Sequence, residues 1–451
     1  MMDENATSRK LVYHTAVVIA ALAYFLLAYQ TERGDFFQLI SLVLLIAACS
    51  YHAYRNTTNT IDFFWIGLIF RAVIFISVPF FSQDFYRFIW DGELIVHGVN
   101  PYAFTPNELI GNTSFQFPNK DLLFNKMGNI SAKYNSNYPP VNQIFFAAAA
   151  AITGLSLLGK MLMLKLFVVV ADIGIFFVGR KILRHYKLEE KQIAFYFLNP
   201  LVVIELTGNL HFEGVMLFFL LLGIYLLLHE KTLLSATFIA MAIATKLVPL
   251  ILLPFFIKRL NWKEKVLFFG SLAFLGALIL TLCFGAENIV HYLSSIALWF
   301  NNFEFNASIY YVLRAIGFAI NGYNMIDLFG KILPAISVII IFILAIIDYK
   351  QNRKNIFPFL SLALAAYLMC ATTVHPWYLV TLLGLSIFTN FKFIILWSIL
   401  VFLSYYSYFD NQFNESSIIL LLEYVPVYFL AIIEVTRFLR NSEHSLESKR
   451  G

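Results

Sequence analysis

The sequence predicts an all-α, polytopic integral membrane protein with about 12–14 membrane helices, from composition and from the length of its apolar runs. The composition is 60% hydrophobic and only 13% charged, with a mean hydropathy of +0.74, which excludes an ordinary soluble domain. Apolar runs of roughly 20 residues, the length that crosses a bilayer core, recur along the 451 residues. No soluble domain, low-complexity tract or repeat interrupts them, so residues 1–451 read as a single transmembrane domain. The net charge of +5 resides mostly in short basic loops, as the positive-inside rule gives, and signals no nucleic-acid partner. Cys49, Cys283 and Cys370 all lie in apolar runs and read as packing, with no disulfide framework or metal spacing.

Runs 11–29, 36–54 and 61–81 are each long enough to span. Arg9, Lys10 and Arg55 place the N-terminus and the second loop inside, so residues 82–158 fall outside as a long first external loop. The Ala-rich run after Pro140 must not cross, because crossing would put the basic loop of Arg180, Lys181, Arg184 and Lys187 outside. Runs 161–180, 193–209 and 212–228 then cross in turn and expose Asn209 to Glu213. Run 233–257 needs a break to keep Lys258 and Arg259 inside, and Lys246 and Pro249 supply it as a broken helical hairpin. Runs 266–284, 326–347, 356–373, 377–389, 392–408 and 418–438 complete the count, with a non-crossing helix near 308–320 and a cytoplasmic tail at 439–451. Loop charges alone collect the polar clusters 84–102, 209–213, 299–306 and 375–378 on one side.

The stretch Ser82 to Pro106 organises the candidate site. Asp84 and Asp91 are seven residues apart and return to nearly one face of a helix, with Arg87 at i+3 from the first and i−4 from the second. Gly98 stops that helix, and Asn100-Pro101-Tyr102 turns the chain. Trp90, Tyr86 and the aliphatics around them suit a helix lying in the membrane interface. Two carboxylates there are candidate general bases for deprotonating a hydroxyl. Arg87, Lys246 and His375 are candidate phosphate holders, since a departing phosphate gains charge that a nearby cation stabilises. Tyr102, Tyr138, Trp299, Trp377 and Tyr378 are placed to stack on sugar rings. Arg71, Lys165, Asp172 and Glu205 fall within spans, where an ionisable group costs roughly 2.5–3.5 kcal/mol at the centre and pairing is the plainer expectation. Asp84 and Asp91 without a third close ligand make a poor metal site, so no metal is expected.

The pattern Asp84-x-Tyr86-Arg87…Trp90-Asp91-Gly92…Gly98-x-Asn100-Pro101-Tyr102 resembles the first external loop of polyprenyl-phosphate-sugar-dependent glycosyltransferases of the GT-C fold. It is especially similar to bacterial α-1,6-mannopyranosyltransferases. Further landmarks follow in order: Tyr138-Pro139-Pro140, Asn199-Pro200-Leu201…Glu205…Gly208-Asn209-x-His211, Thr245-Lys246-x-x-Pro249 and His375-Pro376-Trp377-Tyr378. The similarity covers roughly residues 60–390. It implies that the first acid, Asp84, is the base and that the sugar, mannose foremost, arrives on a polyprenyl phosphate with no other cofactor. In that family the second external loop often carries His-x-Asp; this chain has Glu213 at the acid position.

The expected function is therefore inverting transfer of a hexose to a glycan or lipid acceptor on the extracytoplasmic face of the cell membrane, both termini being cytoplasmic. The rival from another class is a transporter or flippase of lipid-linked sugars. It would need access from both sides and internal repeats, and no repeat is visible.

Overall fold

The computed structural model describes every residue except 1, 58, 153, 155, 302, 352, 353, 412 and 448–451. Among the described residues the chain is helical from end to end, and the one β feature is a parallel bridge between Phe305 and Thr373. Seven helices are long and apolar enough to cross a membrane: Val12–Gln30, Phe36–Asn56, Leu157–His185, Trp262–Cys283, Ile326–Gln351, Lys392–Phe409 and Ser417–Arg440. An eighth forms if the pair Pro200–Gly208 and Glu213–Leu228, bent by 114°, is one broken span. The multi-pass membrane character follows from these helices.

Several of the apolar runs fold as shorter pieces instead. Run 377–389 becomes a 3-10 turn, Pro376–Tyr378, followed by the eight-residue helix Leu379–Ser386. The 233–257 run breaks where its lysine and proline predict. The helix Thr232–Thr245 ends at Lys246, whose backbone is extended at φ −158°, and a 3-10 helix resumes over Val248–Arg259. The Ala-rich run is the helix Pro140–Ile152, whose 13 residues reach only about 20 Å against a hydrocarbon core of about 30 Å. It does not cross.

The helix Asp84–Val96 is less interfacial than its sequence suggests, because nine of its 13 residues are buried. It packs against Pro140–Ile152 and Lys120–Lys126. Gly92 makes that approach possible: a Cβ there would meet the Phe146 carbonyl oxygen at 2.3 Å. Gly98, at φ +76°, then ends the helix, and the Val99 N–H closes back on the Leu94 carbonyl at 2.8 Å.

Arg71, Asp172, Lys165 and Glu205, the four ionisable groups that the sequence places within spans, all have polar partners. Arg71 donates to Asp172 from Nε and Nη2 at 3.0 Å each, and the Tyr196 hydroxyl takes the other carboxylate oxygen at 2.8 Å. Lys165 is held by the carbonyls of Ile74 and Ser77 at 3.1 and 2.6 Å. Glu205 accepts from the Tyr405 hydroxyl at 2.8 Å and the Asn209 amide at 3.0 Å. Cys49 and Cys370 are buried free thiols, and Cys283 is half-buried.

Candidate active site

The helix breaks converge on one cavity of about 860 Å³. Asp84 enters it from the first turn of its helix, where the dipole favours a carboxylate. His211 enters from the bend of the broken span. The residue before it, Leu210, is a bulky side chain held at φ +65°, a strained backbone that clusters at functional sites. The strain has a source in the chain. The π-helical turn Val203–Gly208 ends with the Asn209 and His211 N–H groups folded back onto the Ile204 and Glu205 carbonyls, at 2.7 and 3.2 Å.

His211 Nε2 then lies 3.8 Å from Asp84 Oδ2, and Nδ1 lies 3.0 Å from the Glu205 carbonyl oxygen and 3.5 Å from its carboxylate. The Asp84 side chain is 39% exposed to the cavity, whereas His211 is buried and its Nε2 has no hydrogen-bond partner. Burial disfavours charge on both groups. For His211 the Asp84 and Glu205 carboxylates outweigh burial and lift it to about 9. For Asp84 the imidazolium of His211, helped by Arg33, holds the carboxyl below its ordinary value despite burial. At neutral pH the pair is carboxylate and imidazolium.

A sign follows for the pH profile. Replacing His211 by Gln removes the charge that keeps Asp84 ionised and leaves the burial that opposes it, so the Asp84 carboxyl rises. The acid limb of kcat/KM is expected to move to higher pH in His211→Gln, read from a pH–rate profile of any activity the site supports. An unmoved limb would mean that Asp84 does not control it.

Lys246 reaches the cavity from the break in the Thr232 helix, ion-paired to Glu213 and lying 4.2 Å from the centroid of the Tyr378 ring. The wall beside it continues into the apolar side chains of Val248, Leu250 and Ile251, joined by Pro334 and Leu364. Arg87 and Tyr138 also line the cavity. Arg87 is clamped by Asp91 at 2.7 Å and by the carbonyls of Ser131 and Tyr134, which leaves Nη2 without a partner.

Three expected roles change on this geometry. Asp91, a sequence candidate for the base, is fully buried and does not line the cavity. Its oxygens are occupied by Arg87, by the Ser136 hydroxyl at 2.5 Å and by the Gln143 amide at 3.0 Å, so it orients Arg87 rather than meeting a substrate. Trp377 cannot stack on a sugar with its faces, because His211 covers one at 3.9 Å and His375 the other at 4.3 Å. Phe305 extends the column beyond His375 at 4.7 Å. Burial holds His375 down to about 3, so it serves in this column as a neutral ring rather than a phosphate-holding cation.

Four other residues also lie outside the cavity lining. Trp90 is buried against Phe117, and Tyr86 packs on Phe85. Asn100 caps the Tyr102 N–H and donates to the Cys283 carbonyl. The Tyr102 hydroxyl donates to the Tyr138 carbonyl at 2.7 Å, so Tyr102 braces the turn instead of lining the cavity. The Trp299 side chain is outside the described residues, although its backbone is helical within Gly285–Asn301.

Asn142 and Arg33 are among the lining residues that the sequence did not single out. Asn142 donates from Nδ2 to the Thr245 carbonyl at 2.7 Å, tying the short helix to the Lys246 break. Arg33, from the loop between the first two spans, lies 3.4 Å from the centroid of the Tyr408 ring. A basic residue on the side that loop charges call external was the available clue. Among the described residues no group of three His, Cys, Asp or Glu is placed to hold a metal ion.

Comparison with known proteins agrees with the ordered motifs. Residues 8–261 match the family model described as alpha-(1->6)-mannopyranosyltransferase, N-terminal domain. Over 227 residues the chain is 25% identical to alpha-(1->6)-mannopyranosyltransferase B of Corynebacterium glutamicum, covering 49% of this chain and 35% of that protein. Over 191 residues it is 27% identical to alpha-(1->6)-mannopyranosyltransferase A of Mycobacterium tuberculosis, covering 42% and 35%. The aligned stretch thus spans about a third of each relative's length. No solved structure matches the chain. Asp84, Arg87, His211, Glu213 and Lys246 fall inside the matched region, and His375, Trp377 and Tyr378 beyond it. With more than half of its length inside that model, the chain belongs to the alpha-(1->6)-mannopyranosyltransferase family.

Proposed function

We propose that the protein is a membrane mannosyltransferase that moves mannose from a polyprenyl phosphate to a hydroxyl of a glycan or lipid acceptor. The observation that carries this reading is Asp84, open to a cavity whose wall also holds Lys246 beside a run of apolar side chains. Asp84 accepts the acceptor's hydroxyl proton as its oxygen bonds to the anomeric carbon. The bond from that carbon to the phosphate oxygen breaks on the opposite face, with inversion, and the phosphate leaves with the electron pair. Lys246 meets the charge that develops there, while Val248, Leu250 and Ile251 offer an apolar surface to the polyprenyl chain. Mannose as the sugar is supported by the two relatives, both alpha-(1->6)-mannopyranosyltransferases. Arg87 and Tyr138 supply further polar contacts along the cavity wall.

The site is taken to face away from the cytoplasm in the cell membrane, with both termini inside. The direct test is incorporation of radiolabelled mannose from polyprenyl-phosphate mannose into acceptors in membranes that carry the chain. Label above control membranes is the expected result, and its absence would remove mannose transfer from this donor. Sidedness is read separately with a membrane-impermeant thiol reagent on intact cells. A cysteine in place of Gln116 should react from outside, and one in place of Lys187 only after the membrane is opened. The opposite pattern would put the cavity on the cytoplasmic side and make nucleotide sugars the donors to test.

A further inference from the structure

Asp84 and His211 approach each other from segments far apart in the chain, and one side chain ties those segments together. Asn209 accepts from the Phe81 N–H through Oδ1 at 3.0 Å and donates to a Glu205 carboxylate oxygen through Nδ2, also at 3.0 Å. Phe81 stands three residues before Asp84, and Asn209 two residues before His211. The two ends of the amide cannot be exchanged. Only its oxygen can take the N–H, and only its nitrogen can serve the carboxylate. Glu205 is held in turn by the Tyr405 hydroxyl at 2.8 Å, and Phe81, Glu205 and Asn209 are all buried.

The adjoining residues extend the same contact. A Cβ on Gly208 would meet the Phe80 ring at 2.7 Å, so the segments touch at consecutive pairs, Phe80 with Gly208 and Phe81 with Asn209. Lys165 holds the carbonyls of Ile74 and Ser77, where the turn that leads to Asp84 begins. That turn is fixed at its start by Lys165 and near its end by Asn209. No hydrogen bond joins Asp84 to His211 across their 3.8 Å, so their separation is set by the backbones that carry them. Asn209 lies outside the cavity lining and acts through the pair, not on a substrate.

We infer that Asn209 is a positioning residue for the transfer: by bridging the Phe81 N–H to Glu205 it holds the Asp84 carboxylate against the His211 ring. The inference rests on the transferase reading above and adds the residue that sets the geometry of its base.

The test uses the full chain in detergent, with one readout that does not depend on transfer. In Asp84→Cys a thiol replaces the carboxylate, and an imidazolium beside it should make it ionise at about pH 7.5 or below, against about 8.5 for a free cysteine. The pH dependence of alkylation by iodoacetamide, followed at position 84 by peptide mass spectrometry, reads that value. Adding Asn209→Ser, whose hydroxyl can serve one partner but cannot span both, should return it to about 8.5. Adding Asn209→Asp should not, because two facing carboxyls share one proton and so offer the same acceptor and donor.

The second readout is mannose transfer with Asp84 intact. Asn209→Ser should lower kcat by about ten- to a hundredfold, the cost of a misplacement of about 1 Å, and leave donor and acceptor KM within about threefold. Asn209→Asp should stay within about threefold of wild type. Tyr405→Phe is the control for lost stability: it removes the other donor to Glu205 but leaves the Phe81 bond. It should lower the unfolding temperature comparably to Asn209→Ser and keep kcat within about threefold.

An alkylation profile that Asn209→Ser leaves unmoved, or an equal kcat loss in Tyr405→Phe, would overturn the inference. So would a kcat more than about tenfold down in Asn209→Asp at the wild-type unfolding temperature. A moved alkylation profile with no mannose transfer by wild type would sink the transferase reading and keep the positioning role. Transfer by wild type with an unmoved profile would do the reverse.

Discussion

Asp84→Asn is expected to lower mannose transfer by about 10³-fold or more, within the range that a positioned general base contributes. The substitution keeps the shape of the side chain and removes the basic oxygen. Folding should hardly notice it. Asp84 is the first residue of its helix and is 39% exposed, and its partner His211 stands 3.8 Å away without a hydrogen bond. What changes is His211. Without the Asp84 carboxylate the burial of the ring is less opposed, so its pKa falls from about 9. A raised histidine contributes stability that is full below its unfolded value of about 6.5 and lost as pH rises through its folded one. The variant should therefore match wild type in thermal unfolding above about pH 9 and fall slightly behind it near pH 6. Wild-type turnover in Asp84→Asn would remove Asp84 as the base.

Asp91→Asn makes the useful contrast. Its carboxylate is fully buried among Arg87, Ser136 and Gln143, so its loss leaves Arg87 without a counter-charge. Activity lost there should be accompanied by a lowered unfolding temperature, whereas activity lost at Asp84 should not.

The two acids look alike in sequence because seven residues bring a helix back to nearly the same face. Periodicity gives the face but not the depth. Asp91 stands about 10 Å further along the helix axis, where residues 136–143 close over it. The same limit misplaced Trp90 and Tyr102, which carry the aromatic character of a sugar platform yet serve packing and turn bracing. Trp377 was legible as a site residue, but its covered faces were not, since they depend on His211, which is 166 positions away in the chain. Charge was the more informative signal. Loop charges required that 140–158 not cross and that 233–257 break, and the chain has a 13-residue helix and an extended Lys246 at those places. A lysine inside an apolar run is costly enough to reshape the helix around it, so its position speaks plainly. Arg33 lay in a five-residue turn between two strong spans and was hidden there.

Arg71→Met is expected to destabilise the protein by about 3–5 kcal/mol, the cost of leaving one partner of a buried ion pair alone. Arg71 is 1% exposed and Asp172 fully buried. Arg71 also donates to the carbonyls of Gly67 and Phe197 at 3.0 Å, and its guanidinium lies over the Phe197 ring at 4.1 Å. One side chain thus ties the helices Thr60–Phe75 and Leu157–His185 to the segment that ends at Phe197. That segment leads through Asn199 and Pro200 into the π-helical turn that presents His211. The substitution therefore acts on the platform of the site without touching the cavity, whose lining does not include Arg71. Thermal unfolding in detergent reads the effect, and adding Asp172→Leu should restore part of the loss because the orphaned carboxylate is then gone. Tyr196 keeps the restoration incomplete, since its hydroxyl loses the acceptor at 2.8 Å. If Arg71→Met unfolds at the wild-type temperature, the pair carries no folding role. The reason for two charges at membrane depth would then have to be sought in function.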